Sequence, residues 1–199
     1  MARTILIWAA LAVALVLPVA IAATSPQLAW RGPVYIAAGF AGVIAMSLLL
    51  LQPLLAGGYL PGLTPRRARR LHAWTGAGLV TLVILHVALL WVTSPPDVVD
   101  VLLFRSPTPF SVWGAVAMWA TFAAGLLASL RRKLRLKPAT WRFAHLALTS
   151  IVIIGSIVHA MQIEGTMEIV SKIILCALVL AATVKILADV QPWSILARR

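Results

Sequence analysis

Six apolar runs, each close to the length that crosses a bilayer, leave this chain few ways to fold. They cover residues 4–23, 33–55, 71–93, 109–130, 143–163 and 169–190. About 20 apolar residues cross a hydrocarbon core roughly 30 Å thick as an α-helix. No run shows the period-two alternation of a barrel strand. With 62% of its residues hydrophobic and 11% charged, the chain lies far from the makeup of a soluble domain. The expectation is an all-α integral membrane protein: a six-transmembrane-helix bundle forming a single domain over residues 1–199.

Charge orients the bundle. The net charge of +12 would suggest a polyanion partner in a soluble protein. Here the basic residues lie between apolar runs, where they set topology and meet anionic lipid, so the lipid bilayer is the expected partner and nucleic acid is not. Arg66, Arg67, Arg69 and Arg70 precede the third run, and Arg131, Arg132, Lys133, Arg135, Lys137 and Arg142 precede the fifth. The connection between runs three and four holds Asp97, Asp100 and Arg105, and the one between runs five and six holds Glu164 and Glu168. With Arg3, Arg198 and Arg199, this places both termini and both basic connections in the cytoplasm, in a bacterial inner membrane. Residues 98–104 are apolar enough for a short interfacial helix. The first run resembles a signal peptide near Ala20–Ala23 but is longer than the usual apolar region of one, and is expected to be a retained span kinked at Pro18. Cys176 is the single cysteine, so neither a disulfide nor a thioether-linked haem is available.

The four histidines form two pairs. His72 and His86 lie in the third span, His145 and His159 in the fifth, and thirteen residues separate the members of each pair. Fourteen steps along an α-helix rise about 21 Å and return to within about 40° of the starting face. Each helix therefore shows two imidazoles on one side, one near each edge of the membrane. Spans three and five run in the same direction. His72 then faces His145 near the inner edge, and His86 faces His159 near the outer edge. Histidine inside hydrocarbon is a functional candidate by default. Zinc and non-haem iron need three or four protein ligands, whereas haem needs only its two axial positions filled. The spacing predicts two haem b groups, non-covalently held between spans three and five, with all four histidines as iron ligands. Bis-histidine iron suits electron transfer across the membrane, so the chain reads as an oxidoreductase component with no catalytic residue of its own. Arg70 and Arg142, among the arginines at the inner edge, are expected propionate contacts, and Lys172 is a weaker candidate at the outer site. Gly76, Gly78 and Gly155 are expected to make room for the flat macrocycles, and Gly39 and Gly42 to permit close helix contact. Trp74, Trp91, Trp141 and Trp193 fit an interfacial aromatic belt, and Lys185 and Asp189 an i, i+4 pair.

The motif Arg69-Arg70-Leu71-His72-x-Trp74-x-Gly76, with Trp141-x-x-x-His145 and equal histidine gaps, resembles the ferric reductase-like transmembrane domain. That superfamily includes NADPH oxidases, ferric reductases and the MsrQ (YedZ) membrane subunits of methionine sulfoxide reductase systems. The resemblance runs from about Gly57 to Val190. It implies two b-type haems, His72 and His145 on the inner one and His86 and His159 on the outer. Oxidases and ferric reductases continue into a flavin and NADPH domain, which this sequence does not contain. The expected donor is a cytoplasmic flavin reductase or quinol, with flavin or quinone supplied by that partner. The expected acceptor is a protein, ferric iron or oxygen on the outer face. A cytochrome b561-like quinol oxidoreductase is the alternative within redox chemistry, although such proteins spread their ligands over four helices. A small transporter or assembly subunit is the non-redox alternative.

Overall fold

Proline starts most of the helices. It has no N–H to lose at the first helical position, and its fixed φ suits the first turn. In the computed structural model, which describes residues 1–190, Pro33, Pro65, Pro95, Pro109 and Pro138 each open a helix. The helices are α1 (Ala2–Ala23), α2 (Pro33–Ala56), α3 (Pro65–Thr93), α4 (Pro95–Leu102), α5 (Pro109–Leu130), α6 (Pro138–Gln162) and α7 (Ile169–Val190). A 3-10 turn, Pro26–Leu28, joins α1 to α2. All but α4 are long and apolar enough to cross a membrane, which is the six-span architecture expected. Trp193, Arg198 and Arg199 lie outside the described residues.

Two helices begin earlier than their apolar runs. The stretch carrying Arg66, Arg67, Arg69 and Arg70, expected as a loop, is the first turns of α3. Thr64 caps it, its hydroxyl accepting from Arg67 N–H at 3.3 Å. Likewise α6 takes in Trp141 and Arg142. The helical geometry continues past the hydrocarbon edge because nothing in these sequences breaks it, and the charged face is solvated there. The interfacial helix is present as α4, with Val98 buried beneath it.

Five helices close into a ring through the contacts α2–α3, α3–α5, α5–α6, α6–α7 and α7–α2, and α1 lies outside against α2 and α7. The tightest associations are two antiparallel hairpins, α2–α3 and α5–α6. Small residues carry them, as expected where lipid removes the hydrophobic drive between helices. On α2 these are Ala38, Ala41 and Ala45, and on α5 Ala115, Ala117, Ala120 and Ala124. Leu175 and Val179 of α7 are the largest fully buried side chains, in one apolar cluster with Leu49, Leu79, Val152 and Ile153.

The hairpins repeat. His72 and His86 reappear 73 residues later as His145 and His159. Pro65 and Pro138 stand at the same offset.

The two ends of the bundle also sort by contact. At the basic end, Trp8 Nε1 donates to Pro61 O at 3.1 Å. Tyr59, in the α2–α3 turn, donates to Asp189 near the end of α7, and Lys185 pairs with Asp189 at 2.5 Å as the spacing suggested. These contacts put the start of α1, the α2–α3 turn and the end of α7 together.

Candidate functional site

The four imidazoles fall at two levels, and a shared device holds three of them. His86 Nδ1 lies 2.7 Å from Ala38 O on α2, and His159 Nδ1 lies 2.8 Å from Phe110 O on α5. His72 Nδ1 lies 3.2 Å from Gln52 O on α2. A carbonyl oxygen only accepts, so each Nδ1 carries the proton and donates. The neutral ring then presents its Nε2 lone pair, the state a metal ligand requires, and a carbonyl partner of this kind fixes ring orientation.

Glycine makes two of these approaches possible. A Cβ at Gly42 would stand 3.2 Å from His86 Nδ1, and one at Gly114 would stand 2.8 Å from His159 Nδ1. Each glycine lies four residues after the carbonyl its histidine binds, which is the residue directly above that oxygen on the helix. Gly42 and Gly114 are 72 residues apart, as are Ala38 and Phe110. The settings of His86 and His159 are thus built from one plan.

At the other level, the His72 and His145 rings are 6.3 Å apart between centroids and inclined at 73°. Gln52 ties α2 to α3 here a second time, its Nε2 donating to Thr75 Oγ1 at 2.8 Å. His145 differs from the other three. The carbonyl 72 residues after Gln52 is that of Ala124, yet His145 Nδ1 is buried with no hydrogen-bond partner, and so is Trp141 Nε1. The His145 ring instead stacks on Trp141, 5.3 Å between centroids and 9° from parallel. The Arg131 guanidinium lies 4.1 Å from the Trp141 ring centroid, a cation–π contact. Trp141 therefore does more than line the interface. The i, i+4 spacing of Trp141 and His145 was the available signal.

The glycines expected to line the macrocycles serve other contacts. Gly76 and Gly78 face Gln52 and Leu48 of α2, with room for a Cβ at 3.5 Å. Gly155 fits against Ala117 and the Trp113 carbonyl, where a Cβ would stand 3.0 Å away. Gly155 lets α6 approach α5 closely, while the α2–α3 packing at Gly76 and Gly78 would accept a Cβ. Helix register also sorts the arginines. Arg69 and Arg142 each precede a histidine by three residues and share its face to within about 60°, while Arg70 lies about 200° round the helix from His72. Arg69, Arg70 and Arg142 are exposed.

His86 and His159 lie within electrostatic range of each other, and Lys172 is within range of His159. Among the described residues no three His, Cys, Asp or Glu side chains gather as a metal cluster. The family model described as "Ferric reductase like transmembrane component" matches residues 38–156. The chain belongs to the ferric reductase-like transmembrane family. The matched range opens at Ala38, whose carbonyl holds His86, and contains His72, His86 and His145; His159 lies three residues beyond it. No curated protein and no solved structure matches the chain. Family membership makes this a membrane electron-transfer component.

Proposed function

We propose that this family member is a b-type dihaem transmembrane electron-transfer protein. It passes electrons from a cytoplasmic flavin reductase or quinol to an acceptor on the outer face. The observation that carries the proposal is the set of three imidazoles with Nδ1 tied to a helix carbonyl and Nε2 left as the donor atom.

The residues fit the cofactor on two further counts. With metal–imidazole bonds of about 2.0–2.1 Å, two rings on opposite sides of one iron stand about 6.3–6.5 Å apart, and His72 and His145 are at 6.3 Å. Gly42 and Gly114 let the His86 and His159 rings lie against helix backbone at their Nδ1 edges, and leave Nε2 out of that contact. Haem held by these histidines would supply one-electron chemistry.

The protein's own contribution is positional. His72 and His145 hold the inner site, His86 and His159 the outer one, about 21 Å along the helices. Arg69 and Arg142 are the basic-end cations on the histidine faces and suit propionate contact. The basic end is cytoplasmic by the excess of Lys and Arg in its connections. All four histidines sit on two helices, which disfavours the cytochrome b561-like arrangement.

The test is a reduced-minus-oxidised spectrum of the purified protein, with haem counted against protein. Two haems per chain are expected, falling to one when either member of a pair is changed to alanine. A preparation folded in detergent and reconstituted with haem that shows no b-type spectrum refutes the proposal.

A further inference from the structure

Lys172 is the one charged side chain buried among the described residues, at 6% exposure. It is the fourth residue of α7, and its Nζ donates to Ile163 O at 2.6 Å. Ile163 N–H in turn bonds His159 O at 3.2 Å. The ammonium thus sits about one helical turn beyond an outer-site histidine.

Burying an ammonium costs several kcal/mol unless something offsets it, and a buried ionisable group within a membrane span is a functional candidate. The ammonium has three donors, of which the protein takes one. Glu164 lies within electrostatic range but is exposed. Cys176, one turn along α7, is buried. The ion pair found among the described residues is Lys185–Asp189, at the opposite end of the bundle, so no carboxylate contact cancels the Lys172 charge. The cations of the other site differ in kind. Arg69, Arg131 and Arg142 are exposed and screened by water and salt. At equal distance a charge in a protein environment acts roughly fourfold more strongly than one in water.

We propose that Lys172 is a positioning charge for the outer site, raising its affinity for an electron above that of the inner site. This rests on the dihaem reading given above. The transfer it favours is a single electron, lost at the His72/His145 site and gained at the His86/His159 site, with no proton moved and no bond made or broken. The cytoplasmic donor restores the electron at the inner site. Lys172 thereby sets direction: outward transfer runs downhill.

The experiment is a potentiometric titration of the dihaem protein, with the outer component identified by its loss in His86→Ala. Lys172→Gln keeps a donor for Ile163 O and removes the charge. The outer midpoint should fall by the equivalent of tenfold or more in equilibrium constant, about 59 mV for one electron. The inner midpoint should hold, and Lys172→Arg should retain the wild-type value. An unchanged outer midpoint in Lys172→Gln with both haems bound overturns the proposal. An equal fall in Lys172→Arg also overturns it, since geometry and not charge is then responsible. Loss of the outer haem in both Lys172→Gln and Lys172→Met, with the inner one kept, overturns it in favour of a folding role. A wild-type protein without a haem spectrum removes the dihaem reading as well, and that outcome is separate from all the others.

Discussion

Gly114→Ala tests the outer site without touching a ligand. The added methyl would stand 2.8 Å from His159 Nδ1 and 3.0 Å from Cε1, about 0.6 Å inside ordinary contact. Backbone sits behind the glycine, so the ring must move. In moving it loses the 2.8 Å bond to Phe110 O, and with that the restraint on both tautomer and direction. Losing a partner of this kind weakens metal binding by about 10–100-fold, or about 1.4–2.8 kcal/mol. Helix propensity acts the other way, because alanine in a helix interior is better than glycine by about 0.8–1.0 kcal/mol. The lost hydrogen bond costs about 0.5–1.5 kcal/mol and offsets that gain, so the apoprotein should be close to wild type or slightly less stable, while the outer haem is lost or loosened. Gly42→Ala should do less, since its methyl would stand 3.2 Å from His86 Nδ1, a gap that a shift of a few tenths of an ångström closes. The assay is haem content by reduced-minus-oxidised spectrum after dilution, alongside thermal unfolding of the haem-free protein. Two haems retained at wild-type affinity in Gly114→Ala would falsify the carbonyl tether.

Three other outcomes follow from the same structure. Trp141→Leu removes the surface on which the untethered His145 ring lies; the inner haem alone should bind about tenfold more weakly, with Trp141→Phe closer to wild type in the same haem titration. The Tyr59 phenol is pushed up to about 12 by burial, then by its hydrogen bond to Asp189 and that carboxylate's charge. Its folded value lies above the unfolded one, so the stability it contributes is fully present below about pH 10 and is lost as pH rises through 12. Phenolate absorbance should show one of the two tyrosines titrating high, and Tyr59→Phe should remove that step; two steps near pH 10 would contradict the contact. Cys176 is buried, which gives a quiet background for thiol labelling: Lys133→Cys should label only from the cytoplasmic face of intact membranes and Asp97→Cys only from the outer face, and labelling of both from one face would overturn the topology.

The spans were legible because an apolar run of about 20 residues matches the bilayer and exceeds what most soluble cores can bury. Helix starts were less so. Charge density made residues 66–70 look like a loop, although Thr64 followed by Pro65 is a helix-start signal that hydropathy ignores. The histidine pairs were legible from spacing alone, because helical periodicity decides which residues share a face. Their supports were not. Ala38, Phe110 and Gln52 hold the rings through backbone oxygens, and a carbonyl leaves no trace in the identity of its residue. The one visible trace is the glycine four positions on, Gly42 and Gly114, and it becomes readable only when the two hairpins are aligned on their histidines. Gly76, Gly78 and Gly155 misled because sequence gives proximity along a helix and not which neighbour the small face meets.

The repeat has a consequence for how the chain can be divided. A break in the connection between α4 and α5 leaves two fragments of three spans each, α1–α3 and α5–α7, and each contains one antiparallel hairpin with two of the four histidines and one of the two glycines behind them. On the dihaem proposal neither fragment supplies both imidazoles of a site, and co-expression should restore both sites. Ligation would then act as the glue between the halves, and cofactor supply would decide whether they stay together.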